Sequence, residues 1–276
     1  MTADTAARAE ALAARIAGLA PSGIKSPTLV YFDIIGICWP IRCLLHLKSV
    51  EYELIKVPID LWIYRQPDGS QPLVSSFPNG HMPLYVDADV ALSQSNVIMA
   101  YLAEQHDLFG GSSSERLRIM EVMAHAYDAL FHWSGLLQII AKMNLPDDLV
   151  ESRLQAFLGN GNWGLVNDGY RRNLDPFERY MAANSDADHG FIVGSRLSIA
   201  DLHAFNVLCN WYKAFDQSLF VEKYPRLEAY VQRIAAIPQV ADYISRLQEP
   251  TTWLPLPPLG IRLTTPEELS GLTPAR

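Results

Sequence analysis

The amino-acid sequence predicts a small α/β domain followed by a larger all-helical domain. Two observations carry this expectation. Residues 28–57 read as a β-rich run, a helical run and a second β-rich run, the order of a βαβ unit. Beyond the run Gly110-Gly111-Ser112-Ser113-Ser114, apolar residues recur at helical spacing and no strand pattern returns. Composition permits the plan. The 276 residues are 49% hydrophobic and 19% charged, as in an ordinary globular chain that buries a core without staples.

The elements follow in order. Residues 1–26 are Ala-rich with Asp4, Arg8, Glu10 and Arg15, and lack a secretory apolar core. They read as a solvated helical extension with a linker from Pro21 to Pro27. Thr28 to Asp33 is β-branched and aromatic, a buried strand that Gly36 breaks. Pro40 suits a first helical turn, where a missing N–H costs nothing. Ile41, Leu44, Leu45 and Lys48 continue that helix, and Glu51 to Val57 forms a second, parallel strand. The stretch from Pro58 to Gly80 reads as irregular, around Trp62, Tyr64, Arg65 and the Pro67-Asp68-Gly69 turn. Leu84 to Val86 and Val90 to Leu92 form a hairpin about Asp87-Ala88-Asp89. A helix from about Gln94 to His106 buries Val97, Ile98, Tyr101 and Leu102.

In the second domain, Ile119, Val122, Met123, Ala126, Leu130, Trp133, Leu137 and Ile140 form one helical face. Another helix starts near Asp147, with a break between Gly159 and Gly164. Ser198-Ile199-Ala200-Asp201 has the spacing of a capping box. Leu227, Val231, Ile234, Ile237, Val240 and Ile244 mark the last helices, after Tyr224-Pro225. The tail 249–276 is Pro-rich and cannot be helical at its start.

Several functions are disfavoured. Lys and Arg total 22 against 30 Asp and Glu, so a general nucleic-acid footprint is missing. Cys38, Cys43 and Cys209 make neither a disulfide framework nor a zinc spacing, so no metal is expected and a reducing, cytoplasmic compartment is the default. No apolar run reaches the ~18–20 residues of a membrane span.

Four segments together resemble the cytosolic glutathione transferases, in particular tyrosine-type classes such as sigma. They are LVYFDIIGICWPIRCLLHLKSVEYE (29–53), NGHMPLYVDADVALSQSNVIMAYLAE (79–104), GSRLSIADLHAFNVL (194–208) and YPRLEAYVQRIAAIPQVADYI (224–244). The resemblance implies a thioredoxin-like domain over 27–110, an all-α substrate domain over 115–248 and a homodimer contacting through the helix near Glu115. It implies glutathione as co-substrate and a small apolar electrophile as partner.

It also implies site residues. Tyr31 occupies the position of the catalytic tyrosine. A free thiol with a pKa near 8.5 is only a few per cent ionised at neutral pH, and a phenol donating to the sulfur favours the anion. Met82 would offer its backbone to the cysteinyl part of glutathione, before a cis Pro83. Gln94 and Ser95 would hold the γ-glutamyl carboxylate at a helix start. Arg65, with Trp62 beside it, or Lys56 would meet the glycyl carboxylate. Ile37, Tyr127, Phe131 and Trp211 are candidates for the substrate pocket. As strand, core or capping residues, Tyr31, Ser95 and the aromatics would need no ligand.

Two departures from the family pattern point elsewhere. Ile35 and Ile37 flank Gly36 where sigma-like relatives often carry arginines, which suits a non-catalytic ligand-binding or structural protein. Cys38 lies near the place of the nucleophile of cysteine-type classes, which would allow thiol transfer, although a buried, inert cysteine is the expectation. His81, His125 and His132 read as hydrogen-bonded core or surface histidines.

Overall fold

The continuous apolar run along Thr28–Phe32 suits a strand buried on both faces, and this strand lies inside the sheet. In the computed structural model, residues 3–143, 148, 149, 152, 156, 169–185, 190–209 and 217–247 are described. The chain divides into two units, Met1–Leu102 and Ala103–Arg276.

In the first unit, β1 (Thr28–Phe32) pairs in parallel with β2 (Glu53–Val57) through the helix α2 (Trp39–Leu47). Pro40 sits in the first turn of α2, where its lack of an N–H is harmless. β3 (Leu84–Val86) and β4 (Ala91–Ser93) form the antiparallel hairpin, giving the sheet order β2-β1-β3-β4. Asp87 shapes the turn, accepting from the Asp89 and Val90 N–H groups, while its Oδ2 accepts from the Tyr101 hydroxyl at 2.8 Å.

Three features differ from the sequence expectations. The stretch between Pro58 and Gly80 contains two one-turn helices, α3 (Ile59–Trp62) and α4 (Pro72–Ser75), each entered through a proline whose φ suits a helix start. The N-terminal helix α1 (Ala3–Ala17) is docked rather than solvated, with Ala9, Ala13 and Ile16 buried. In α5 (Ser95–Gln105), Ile98, Met99, Leu102 and Ala103 are buried, but Val97 is 49% exposed because its position rotates off that face.

Every regular element described in the second unit is a helix. α6 (Ser113–Met143) buries Ile119, Val122, Met123, Ala126 and Leu130 as expected; Trp133, Leu137 and Ile140 lie outside the described side chains. It packs on α7 (Gly169–Ala183) and α8 (Ile199–Val207). α9 (Gln217–Lys223), α10 (Pro225–Ala235) and α11 (Pro238–Ser245) follow. Leu227, Val231, Ile234, Val240 and Ile244 are buried, with Ile237 at the corner between α10 and α11. The break expected at 159–164 and the tail 249–276 lie outside the described residues.

Every residue of α8 is buried. Its capping box closes as the sequence predicts: Asp201 Oδ2 accepts from the Ser198 N–H at 2.8 Å and from the Ser198 hydroxyl at 3.0 Å. His203 is buried in the same helix, and burial pulls its pKa down to about 4. The imidazole titrates near 6.5 when unfolded, so the neutral form supports the fold. That contribution is complete above pH 6.5 and disappears as pH falls through 4, a loss of roughly 3 kcal/mol. Urea unfolding from pH 7 to 4 should therefore show a steeper decline for the wild type than for His203→Phe. Parallel declines would sink this assignment.

Candidate active site

The pairing register gathers most of the candidate residues at one end of the sheet. Val30 lies opposite Leu84, and Leu84 opposite Ser93. The C-terminal end of β1, the start of β3 and the end of β4 therefore coincide. Phe32 pairs with Val57, so the chain leaving β2 also emerges there. Tyr31, Met82-Pro83 and Gln94-Ser95 share this end, and the segment bearing Trp62 starts from it.

Tyr31 is 6% exposed, and its hydroxyl rests on the tight turn Gly36–Cys38. The Ile37 N–H points to Oη across a long 3.4 Å. A Cβ on Gly36 would come within 2.6 Å of the same oxygen, and Gly36 has φ +45°. Glycine is thus needed twice, for a left-handed backbone and for space over the phenol. Sequence reasoning treated Gly36 only as a strand breaker.

The Met82–Pro83 peptide is cis, as the resemblance implied. Met82 is half-buried against the apolar cluster beneath the sheet. Gln94 has φ +74°, which turns the chain sharply from β4 into α5. Ser95 opens that helix and is 2% exposed. The first N–H groups of a helix lack intrahelical partners, so this corner presents donors. Buried beside them, Ser93 Oγ and Asn96 Oδ1 have no hydrogen-bond partner among the described residues. Buried polar atoms are normally satisfied, so this corner suits a polar ligand. Asn96 escaped the sequence reading, though it directly follows the Gln-Ser pair.

The remaining candidates are engaged locally. The Trp62 ring meets Phe32 and Phe77 edge-on, both at 5.6 Å. Arg65 is exposed, and its Nη1 donates to the Gly69 carbonyl at 3.3 Å. Lys56 Nζ pairs with Asp33 Oδ1 at 2.7 Å. Ile35 is buried and Ile37 half-buried. Cys38 and Cys43 are buried, and desolvation pushes both thiols well above their ordinary range; the Arg42 charge opposes this only weakly at Cys38. Cys209 is buried too.

In the second unit, the Tyr127 and Phe131 rings meet at a 42° tilt with centroids 4.5 Å apart, and Phe131 is 48% exposed. Trp211 lies outside the described residues. His125 Nε2 bonds the Asn173 carbonyl at 2.9 Å, and His132 Nδ1 approaches Asn173 Oδ1 at 3.3 Å. His81 Nδ1 bonds the Asn79 carbonyl at 2.6 Å. All three histidines thus take part in hydrogen bonds. Among the described residues, no cluster of His, Cys, Asp and Glu could hold a metal ion, and no helix is long and apolar enough to cross a membrane.

A mixed four-stranded sheet with a cis-proline before β3, followed by a helical unit, defines a thioredoxin-like domain joined to an all-α domain. The family model for the glutathione S-transferase N-terminal domain matches residues 27–104, and that for the C-terminal domain matches 165–246. The chain is 28% identical over 216 residues to glutathione S-transferase P 1 of Xenopus laevis, covering 78% of this chain and 90% of that protein. It is 25% identical over 241 residues to a glutathione S-transferase of Dermatophagoides pteronyssinus, covering 83% and 94%. A structure described as monomeric Na-GST-3 of Necator americanus shares the fold, with TM-score 0.66 at 19% identity, covering 82% and 100%. The chain belongs to the glutathione S-transferase superfamily.

Proposed function

We propose that the protein is a tyrosine-type glutathione transferase in which Tyr31 stabilises the glutathione thiolate. One observation carries this reading: the Tyr31 hydroxyl, the cis Met82–Pro83 bond and the Ser93–Asn96 corner, with its unsatisfied Ser93 Oγ and Asn96 Oδ1, occupy the same end of the sheet. Met82 would pair with the cysteinyl backbone. The N–H groups at Ser95 would hold the γ-glutamyl carboxylate, with Ser93 and Asn96 meeting its polar neighbours. Arg65, next to Trp62, is the cation assigned to the glycyl carboxylate. The Tyr31 O–H donates to sulfur, the thiol proton leaves to solvent, and the thiolate attacks an electrophilic carbon as the leaving group departs with its electron pair. In an isomerisation, the same thiolate adds and is released.

Calorimetry with glutathione tests the binding half. Ser95→Ala should weaken affinity by about 1–3 kcal/mol, roughly 5- to 150-fold, through lost hydrogen bonds to charge. No binding by the wild type at millimolar glutathione would defeat the reading. Ile35 and Ile37 favour a second reading, ligand binding without turnover; it predicts glutathione binding with no shift in thiol ionisation. Burial and the raised thiol pKa of Cys38 count against thiol transfer through that residue.

We assign the apolar electrophile to the helical unit, at the half-buried Tyr127 and the exposed Phe131 beside it. Met120 and Leu117, 53% and 69% exposed, lie on the same stripe of α6 about two and three turns nearer its start than Tyr127. Large apolar groups so placed suit a second copy of the chain. Leu117→Glu should therefore shift a homodimer toward monomer in sedimentation at micromolar protein. A wild type that sediments as a monomer would remove the dimer from this reading. A cytoplasmic setting accords with three cysteines that form no disulfide.

A further inference from the structure

The N-terminal helix α1 lies outside residues 27–104, the span matched by the family's N-terminal domain, and nothing in the site uses it. Its position is nonetheless specific. One face of the sheet presents Val30, Ile55, Val57, Leu84 and Val86 to a single apolar cluster. In the chain between β2 and β3, the helices that cover that face are α3 and α4, each four residues long. A single helical turn does not hold itself together, because nucleation costs more than one hydrogen bond returns.

α1 completes this layer. Ala9, Ala13 and Ile16 recur along one helical face and join Leu61, Tyr64, Leu73 and Phe77 in the cluster. α1 packs directly on α3 and α4. The alanines permit close approach, since little side chain separates the backbones. Two polar contacts fix the register. Glu10 Oε1 accepts from Gln66 Nε2 at 2.9 Å, beside Arg65, and Arg15 Nη2 pairs with Glu53 Oε1 at 2.5 Å at the start of β2. The braced segment carries Trp62 and Arg65 and runs on to Met82, which packs against the same cluster.

We infer that α1 is a built-in brace. It holds residues 58–82 in the conformation that receives the glycyl and cysteinyl parts of glutathione, and so sets affinity rather than the rate of the chemical step. This rests on the glutathione reading above. Glu10, Ala13 and Ile16 are positioning residues acting through Gln66 and the α3–α4 layer.

The test uses the full chain and two variants. Ala13→Glu buries a carboxylate between α1 and α4, which is unfavourable without a partner. Glu10→Ala removes only the exposed contact to Gln66 and leaves the core intact. Amide exchange by mass spectrometry should quicken about tenfold or more over residues 59–77 in Ala13→Glu, with β1 and α5 unchanged. The KM for glutathione should rise about tenfold while kcat stays within about twofold. Glu10→Ala should move both readouts the same way by about two- to threefold.

Wild-type exchange over 59–77 while the α1 amides themselves open would overturn the brace. So would a loosened segment with unchanged KM. Uniform acceleration across the whole first unit in both variants would reduce α1 to general stability and also overturn it. Absence of glutathione binding by the wild type is a separate result: it defeats the functional reading, and the exchange pattern alone then decides whether α1 braces residues 58–82.

Discussion

Replacing Tyr31 with Phe should lower turnover at neutral pH by about 10- to 100-fold while leaving glutathione affinity nearly unchanged, since each pKa unit of lost thiolate stabilisation is about 1.4 kcal/mol. The ring and its edge contact with Phe32 at 5.6 Å would persist, so packing is not the variable. Only the hydroxyl beside the Gly36–Cys38 turn is lost. Raising the pH should recover most of the deficit, because solvent then removes the thiol proton unaided. Gly36→Ala provides a second approach to the same atom. Its Cβ would stand 2.6 Å from Oη on a left-handed backbone, so the hydroxyl must move. That variant should show the same pH-dependent loss with Tyr31 still present. Thiolate absorbance and conjugation rate, followed against pH for all three proteins, decide the matter. Superimposable curves would return Tyr31 to the core and place the chemistry elsewhere.

The second large effect concerns stability. Asp201→Ala should destabilise the helical unit by about 3–5 kcal/mol, because several buried donors lose their acceptor together. The carboxylate accepts from the Ile192 N–H at 2.9 Å, the Ser198 N–H and hydroxyl, and the Tyr230 hydroxyl at 3.2 Å. Truncation strands these donors in the interior, where each missing partner costs about 1–3 kcal/mol, although Tyr230 can still donate to the Asp201 carbonyl at 3.1 Å. Burial raises the Asp201 pKa to about 6 despite these bonds. Its titration therefore favours folding below about pH 4, and this contribution is lost as pH rises through 6. That sign opposes His203 across much of the same interval. Comparing each variant with the wild type separates the two. Urea melts at pH 7 showing less than about 1 kcal/mol of change would mean that Asp201 is not the organising group of this helix start.

The residues explain what could be read in advance and what could not. The β1–α2–β2 unit, the Asp87 turn and the Ser198–Asp201 cap are local: a few side chains determine them, and they appear in the sequence as patterns. The cis Met82–Pro83 bond was legible only through resemblance, because nothing in Met-Pro itself selects the isomer. Docking of α1 was not legible. Its inward face is mostly alanine, which packs well against close neighbours but carries little hydrophobic signal. The one-turn helices after Pro58 are too short for periodicity and are set by the surfaces they cover. The functional residues divide similarly. Tyr31, Gln94 and Ser95 lie in recognisable strings, while the role of Gly36 depends on an oxygen five residues back folding over it. Sequence also could not tell that Lys56 is occupied by Asp33 and Arg65 by its own loop.

The burial of all three thiols has a consequence for a protein assigned to work beside electrophiles. Such compounds alkylate any accessible thiolate, and a catalyst with a nucleophile of its own on display would be consumed by its substrates. Here Cys38, Cys43 and Cys209 are withdrawn from solvent, and desolvation keeps Cys38 and Cys43 in the unreactive protonated form. The reactive sulfur is instead carried by a replaceable small molecule. Damage then falls on a molecule that departs after each turnover, and the folded chain outlasts the chemistry it promotes.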